Sequence, residues 1–255
     1  DSYSAYLIAA MAARLRREMN NQLKKADFII DVVAMTLVPY VDWVLRDAAQ
    51  KGFEVLYFVA RDGYPLKLIA DAIIKENNWK IQTKYLYASR RTWRIPSYID
   101  KVDDCFWISQ GGSLNDIHSK EELFKALLID DETFRKIVPQ IDLEDFDWKQ
   151  NQPGQKLAPI LRSSSELNRY LLEVASKKRK ITCEYLLQEF DETKKIACVE
   201  YWARGYNQEC MTRLWSYATG EKKKSYFYYA RSILSSEGSN IRYNMTDLDV
   251  NVAVM

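Results

Sequence analysis

Glu54-Val-Leu-Tyr-Phe-Val-Ala60 is a continuous run of apolar, β-branched and aromatic residues, and Arg61-Asp-Gly63 follows it directly. A run of this length and composition is typical of a strand that is buried on both faces, as in a parallel sheet. Residues 65–75 have helical spacing, and Thr83-Lys-Tyr-Leu-Tyr-Ala88 indicates a second strand. The order strand, helix, strand predicts a β-α-β unit with a right-handed crossover.

The same pattern returns in the second half of the chain. Residues 195–202 and 225–230 are strand-like, and a helical pattern over 208–217 separates them. Between the two halves, residues 118–190 are helical and polar. Alternating strands and helices are typical of α/β proteins. We therefore predict an α/β fold of three layers, with a mostly parallel sheet, an N-terminal helical pair and a helical insertion.

We expect a single α/β domain over residues 1–255. Its predicted parts are the N-terminal helices (1–50), the first βαβ half (51–109), the helical insertion (110–190) and the second half of the sheet (191–255). The two N-terminal helices are expected over 2–26 and 28–50, with Pro39 near a kink or break. Residues 103–109 are expected to add a short strand, and Ser119-x-x-Glu122 is a capping-box pattern before the first helix of the insertion.

Composition limits the possible classes of function. The net charge of +2 lacks the basic excess of a general nucleic-acid binder. No apolar run approaches the roughly 18 residues that a membrane span needs. Four cysteines without a C-x-x-C pair indicate a reducing compartment, so we expect a cytoplasmic protein. His118 is the only histidine, which excludes a histidine-rich metal site, and we interpret it as a surface residue.

Four predicted strands end in the same way: an apolar or aromatic stretch is followed by a small residue and then by an arginine. The four sequences are Phe-Val-Ala-Arg61, Tyr-Ala-Ser-Arg90, Tyr-Trp-Ala-Arg204 and Tyr-Tyr-Ala-Arg231. In a parallel sheet these arginines share the carboxyl edge, where open α/β sheets bind ligands and helix N-termini favour anions. Because guanidinium groups pair with phosphate or carboxylate at two points, we predict an anion site there. The alternative is that each arginine points into water or pairs with a carboxylate.

Residues beside these arginines extend the predicted site. Gly63 and Gly205 would let the backbone approach a ligand closely. Asp62 is the candidate catalytic acid or base, or a ligand of Mg²⁺, and capping of the following helix is its alternative. Asn207 and Gln208 are candidate contacts to a sugar hydroxyl, and helix capping is the alternative for Asn207.

A second group of candidates follows the second strand. Arg91 extends the predicted anion site, and Trp93 and Arg94 are candidate substrate contacts. An aromatic ring beside an arginine can stack on a base or a sugar. The alternative places Trp93 in the core and Arg94 in solvent. Glu200 is a further acidic candidate, with an ion pair to a neighbouring arginine as its alternative.

Several standard signatures are absent from the sequence. It contains no G-x-x-x-x-G-K-[ST] phosphate loop, no G-x-G-x-x-G fingerprint and no G-x-S-x-G nucleophile elbow. Without a dinucleotide fingerprint, group transfer is favoured over redox chemistry. No motif requires a cofactor, and Mg²⁺ is compatible with the position of Asp62.

The stretches 56–63, 85–91 and 199–208 together resemble a domain of bacterial surface-polysaccharide proteins. In those proteins the domain commonly follows a haloacid-dehalogenase-like phosphatase domain. The resemblance covers most of the chain and implies a role in capsule, O-antigen or related glycan assembly. The sequence departs from the family at Glu200, where aspartate is usual, and at Tyr201, where glycine is usual. The aspartate motif of the phosphatase is missing, so the resemblance does not imply phosphatase activity.

We therefore expect a protein that binds, and transfers or processes, a phosphorylated sugar or nucleotide-sugar in bacterial polysaccharide synthesis. One alternative is a non-catalytic module that binds a phosphorylated glycan precursor or a partner enzyme. Another is a protein-interaction domain whose arginines are structural. The chain begins without methionine and ends on the strand-like run 250–255, so we expect other domains of a longer polypeptide as partners.

Overall fold

The computed structural model describes residues 33–107, 114, 117–203, 205–232 and 250–254. The helix predicted over 2–26 lies outside the described residues, and so does Arg204. A π-helical turn, Val33–Leu37, leads into helix α1, Val38–Lys51. Pro39 lies in the first turn of α1 rather than at an interior kink. Proline is tolerated there because the first N–H groups of a helix have no intrahelical partner.

One parallel sheet contains all the described strands, in the order β2-β1-β3-β4-β5. The strands are β1 (Val55–Val59), β2 (Gln82–Leu86), β3 (Ile196–Ala203), β4 (Ser225–Ser232) and β5 (Val250–Val254). Every residue of β1 is buried, as its apolar run predicted. Val55 pairs with Gln82 and Val59 with Leu86 in parallel register, so the predicted parallel pairing of the first two strands is confirmed.

Helices connect the strands in the predicted places. The helix α2 (Gly63–Asn77) joins β1 to β2, and α9 (Tyr206–Thr219) joins β3 to β4. The insertion between β2 and β3 contains α3 (Arg90–Trp93), α4 (Asp104–Trp107), α5 (Lys120–Leu127), α6 (Asp131–Ile137), α7 (Pro153–Ser163) and α8 (Ser165–Glu189). Ser119 caps α5 as predicted, because its hydroxyl accepts a hydrogen bond from the N–H of Glu122 at 3.2 Å.

The short strand predicted over 103–109 is wrong. Asp104–Trp107 form the helix α4 instead, and Phe106 and Trp107 pack into the core of the insertion. A short apolar run does not distinguish a strand from a buried helical turn, because both are equally apolar. The packing partners decide the outcome at such a site.

The sheet separates two apolar layers. On one face, α1 and α2 pack against alternate strand residues that include Leu56, Phe58 and Val199. On the other face, α9 and the C-terminal part of α8 pack against Tyr57 and Cys198. Side chains alternate between the two faces of a strand, so one apolar run supplies both layers. This arrangement is the predicted three-layer α/β fold.

The insertion has a hydrophobic core of its own, and α8 extends from it to the sheet. Ala175 of α8 packs in the core of the insertion, whereas Cys183 packs against the sheet. Between them, Arg179 is buried, and its Nε donates to the carbonyl of Pro96 at 2.8 Å. Its Nη2 donates to the carbonyl of Tyr98. These bonds tie the start of the insertion to its last helix.

The longest described helix is polar. The 25 residues of α8 would be long enough to cross a bilayer, but they include the charged run Lys177-Lys-Arg-Lys180. Among the described helices, none combines the length and the apolar character of a membrane span.

Candidate functional site

The chain changes sides at the carboxyl edge of the sheet, between β1 and β3. It leaves β1 into α2 on one face and leaves β3 into α9 on the other face. These two strands are neighbours in the sheet. Neighbouring strands whose connections diverge to opposite faces leave a crevice between them, and open α/β sheets bind ligands at such points. The strand order therefore indicates that the candidate site lies at the loops that follow β1 and β3.

The loop after β1 presents two charged side chains to solvent. Arg61 and Asp62 are both exposed. In the part of the chain that the structure describes, the Arg61 guanidinium has no carboxylate or hydrogen-bond partner. Asp62 occupies the N-cap position of α2 but makes no capping hydrogen bond, so the capping alternative is wrong. Both side chains are accessible to a ligand at this edge.

Gly63 has a packing role. A Cβ atom at this position would lie 2.6 Å from the carbonyl carbon of Phe58 and 2.9 Å from its oxygen. Real Cβ atoms do not approach backbone atoms so closely, so only glycine lets α2 start directly against β1. The structure therefore gives Gly63 a packing role against β1, and its predicted contact with a ligand stays a prediction.

The backbone places three further predicted arginines at the same edge. Arg90 and Arg91 open α3, which follows β2. Arg231 is the penultimate residue of β4, in register with Trp202 of β3. Because the strands are parallel, these positions lie toward the carboxyl edge at which Arg61 lies. The backbone positions of these three arginines are compatible with the predicted anion site, which stays a prediction.

The loop after β3 contains the remaining predicted anion-site residues. Arg204 is outside the described residues. Gly205 is the N-cap residue of α9 and has φ +82°. This left-handed conformation favours glycine, which is why the chain turns into α9 at this residue.

Two predicted substrate contacts lie together. The Nε of Arg94 donates to Oδ1 of Asn207 at 3.4 Å, and its Cζ lies 4.8 Å from the centroid of the Tyr206 ring. Arg94 is only 8% exposed, so the alternative that placed it in solvent is wrong. Asn207 contacts this arginine, and the N-cap position of α9 belongs to Gly205. The contact joins the segment after β2 to the start of α9.

Trp93 and Gln208 are buried, which corrects the expectation that they contact a substrate. Trp93 is 1% exposed and belongs to the apolar layer between the sheet and α9. The Nε2 of Gln208 donates to Oγ of Ser225 at 3.3 Å, and its Oε1 accepts from the Tyr229 hydroxyl at 3.1 Å. Burying a large aromatic ring stabilises the core, and a buried amide needs partners of this kind.

The acidic candidate Glu200 and the histidine candidate His118 lie in different surroundings, the first buried and the second exposed. Glu200 is buried in β3, and its backbone carbonyl accepts a hydrogen bond from the Tyr40 hydroxyl at 2.8 Å. Burial raises the pKa of Tyr40, and the charge of Glu200 raises it further. His118 is exposed, and its backbone N–H donates to Oε2 of Glu122 at 2.7 Å. Within the described ranges, no group of three His, Cys, Asp or Glu residues could hold a metal ion.

A buried charged cluster near the start of α9 was not expected from the sequence. The Nη1 of Arg213 contacts both carboxylate oxygens of Asp103, at 2.9 and 3.0 Å, and its Nη2 lies 2.5 Å from Oε1 of Glu209. The Tyr206 hydroxyl donates to Oδ2 of Asp103 at 2.8 Å. Burial alone lowers the pKa of Arg213, but the two carboxylates outweigh it and raise the pKa, so the guanidinium stays charged. The only signal in the sequence is the i,i+4 spacing of Glu209 and Arg213.

Exposed aromatic side chains lie at the carboxyl edge and were also missed. Tyr64 in the first turn of α2, Tyr87 directly after β2 and Trp202 near the end of β3 are 58%, 72% and 54% exposed. The Tyr85 ring lies between the rings of Tyr64 and Tyr87, and its centroid is 5.9 Å from that of Tyr64 and 5.1 Å from that of Tyr87. Exposed rings near an arginine can stack on the face of a base or a sugar. The alternation of Tyr85 and Tyr87 at a strand end was the available signal.

Comparison with known proteins identifies no family for this chain. No protein-family model matches the sequence. No curated protein matches it closely enough to be counted as a relative. The resemblance to polysaccharide-associated domains therefore stays a prediction, and function is inferred from the geometry of the carboxyl edge.

Proposed function

We propose that the carboxyl edge of the sheet binds the phosphate groups of a phosphorylated sugar or nucleotide-sugar. The observation that best supports this proposal is the position of Arg61. This residue presents a guanidinium to solvent, without a partner among the described residues, beside the point where the connections after β1 and β3 diverge. A guanidinium binds phosphate in two-point fashion, and the adjoining N-terminus of α2 favours a negative charge.

The exposed aromatic side chains support a ligand that is more than a phosphate ion. Tyr64 follows Arg61 by three residues, at the start of α2, and Tyr87 follows β2, the strand beside β1 in the sheet. Stacking of a base or a sugar ring on an aromatic face contributes about 1–3 kcal/mol where it has been measured for bases. A nucleotide-sugar offers both a charged diphosphate and such rings.

The role of Asp62 differs between an enzyme and a non-catalytic binding module. In the enzyme, its exposed carboxylate acts as the acid or base, or holds Mg²⁺ against the phosphates, and the arginines stabilise charge during group transfer. In the non-catalytic alternative, the same edge binds a phosphorylated glycan precursor without turning it over. Bacterial surface-polysaccharide synthesis is the proposed setting, and it rests on the sequence resemblance.

The first test is thermal unfolding against phosphates, nucleotides and nucleotide-sugars, with and without Mg²⁺. A ligand at about a hundred times its dissociation constant adds roughly 2.7 kcal/mol to the free energy of unfolding, which is a readily measured shift. Arg61→Ala should abolish the shift that a nucleotide-sugar gives, whereas Arg169→Ala, an exposed arginine of the insertion, should preserve it. A flat panel, or equal loss in both variants, would contradict an anion site at this edge.

A second test separates the two modes of action. Asp62→Asn should eliminate turnover of a ligand that Arg61 recognises, while the dissociation constant changes little. A binding module would show the same affinity in both proteins and no turnover in either.

A further inference from the structure

A pocket opens at the amino edge of the sheet, opposite the candidate site. Its volume is about 270 Å³, and it lies where β3 and β4 begin. The residues that line it are Phe53, Lys194, Lys195, Ile196, Trp215, Lys224, Ser225 and Tyr226. Three of them are lysines and none is a carboxylate, so the lining is both basic and aromatic.

Lysine ammonium groups lie over each aromatic ring of the pocket. The distances to the ring centroid are 5.0 Å from Lys195 Nζ to Phe53, 5.8 Å from Lys51 Nζ to Tyr226, and 5.8 Å from Lys223 Nζ to Trp215. In such a contact the quadrupole of the ring attracts the ammonium group electrostatically. The rings therefore keep positive charge close to the pocket.

Two of these lysines are already neutralised by carboxylates. Lys51 forms an ion pair with Asp47, and Lys223 with Glu221 and Glu192. Their charges add little to the attraction of a further anion, because nearby carboxylates cancel their fields.

Lys195 is different. Its Nζ donates to the carbonyl of Lys51 at 2.6 Å, and no ion pair involves it in the part of the chain described. Lys194 Nζ donates to Oε1 of Gln82 at 3.1 Å and is 4.0 Å from Asp191, at the limit of an ion pair. Among the described residues, no carboxylate lies within ion-pair distance of the Lys195 ammonium, although the Glu54 carboxylate accepts a hydrogen bond from the Lys195 backbone N–H at 3.0 Å.

We propose that this pocket binds a small anion of the phosphate or diphosphate class, as a second site distinct from the carboxyl edge. Lysine binds phosphate as a compact point charge, and a pocket lined by three lysines suits an anion with more than one negative charge. The volume is below the roughly 300–1,000 Å³ typical of sites for drug-sized ligands, which favours a small anion over a whole nucleotide-sugar.

A purely structural role for these lysines is the competing explanation. The helices α1 and α9 end at this edge, and cations are stabilised near helix C-termini. In that case removal of the lysines would lower the stability of the protein and leave anion binding unaffected.

Calorimetric titration of the intact chain with pyrophosphate tests the proposal. Besides any binding at the carboxyl edge, we expect a site with a dissociation constant of about 1 mM or tighter at moderate salt, and this site should remain in the Arg61→Ala variant. The double variant Lys195→Gln/Lys224→Gln should bind at least roughly tenfold more weakly. The control Lys177→Gln/Lys178→Gln removes the same charge from an exposed face of α8 and should leave the affinity unchanged. Arg61→Ala should also leave it unchanged, because that residue lies at the opposite edge.

Three outcomes would overturn the proposal. They are the absence of binding, equal weakening in both lysine double variants, and loss of binding in Arg61→Ala, which would assign the anion to the carboxyl edge. Should the first double variant fail to fold, the single variants Lys195→Gln and Lys224→Gln are each expected to weaken binding, and Lys224→Arg to retain it. Unchanged affinity in both single variants would equally contradict the site.

Discussion

The Nη1 of Arg213 lies 2.9 Å from one carboxylate oxygen of Asp103 and 3.0 Å from the other. Asp103 belongs to the segment that leads into the helical insertion, whereas Arg213 lies on α9 beneath the sheet. The pair, completed by Glu209, therefore joins the insertion to the α/β layers through two carboxylates that are almost fully buried and an arginine side chain that is 20% exposed. Breaking a buried pair leaves an uncompensated charge, which is costly.

Asp103→Ala should lower the free energy of unfolding by about 3–5 kcal/mol, because it leaves the Arg213 guanidinium without its main partner. Urea unfolding measures the change. Lys136→Ala removes one partner of an exposed ion pair with Glu132 and should have little effect. If both variants lose equally little stability, the buried pair does not hold the insertion to the sheet.

Gly63→Ala should destabilise the protein by about 1–3 kcal/mol, because the added methyl group meets the backbone of Phe58 at 2.6 Å. Lys75→Ala, an exposed change in the same helix, is the control and should be nearly neutral. The measurement is the urea midpoint. An unchanged midpoint combined with weaker ligand binding would contradict the packing role and support the prediction that Gly63 approaches a ligand.

Asp47→Asn should show a stability defect that depends on pH. Burial raises the pKa of Asp47, but hydrogen bonds from Lys51 and from the Tyr228 hydroxyl, the latter at 2.7 Å, outweigh it and lower the pKa. A lowered pKa in the folded state stabilises the fold above the unfolded value, and this contribution is lost as the pH falls through the folded value.

The defect of Asp47→Asn should therefore be full at neutral pH and shrink below about pH 4, where the aspartate of the unfolded chain becomes protonated. Urea unfolding at neutral and acidic pH measures it. Asp42→Asn removes a carboxylate of the same helix whose ion pair with Arg46 is exposed, and a smaller defect is expected. A defect of constant size across this range would contradict the assignment.

The described cysteines should be unreactive in the folded protein. Cys183, Cys198 and Cys210 are buried, and burial raises the pKa of each thiol, that of Cys210 to about 12. The thiolate is the reactive form, so an alkylating reagent should label these three residues slowly in buffer and rapidly in urea. Mass spectrometry of peptides gives the rate at each site, and equal rates in the two conditions at Cys210 would contradict its burial.

Local sequence predicted much of the fold. The apolar run before Arg61 predicted a strand buried on both faces, and the arginine after it predicted a charged side chain at the strand end. The Ser119 cap was predicted from four residues. These features depend on composition and spacing within a few residues, which a sequence displays directly.

Distant contacts decided the remainder of the site. The sequence did not distinguish a surface Trp93 from a buried one, or a solvated Arg94 from one that contacts Asn207 across the start of α9. The pairing of Asp103 with Arg213 joins residues that are far apart in the chain.

The sequence by itself determined the segments that form the strands of the sheet and that arginines follow several of them, although it also indicated a strand over 103–109 that is helical in the structure. Only the tertiary structure decided that β3 lies beside β1, so that the connections after the two strands diverge at Arg61, and that a basic pocket forms where β3 and β4 begin. Strand order and burial depend on how segments that are remote in the sequence pack against each other. The apolar periodicity of a strand or a helix, two or 3.6 residues, identifies the buried face of that element but not the remote segment that packs against it.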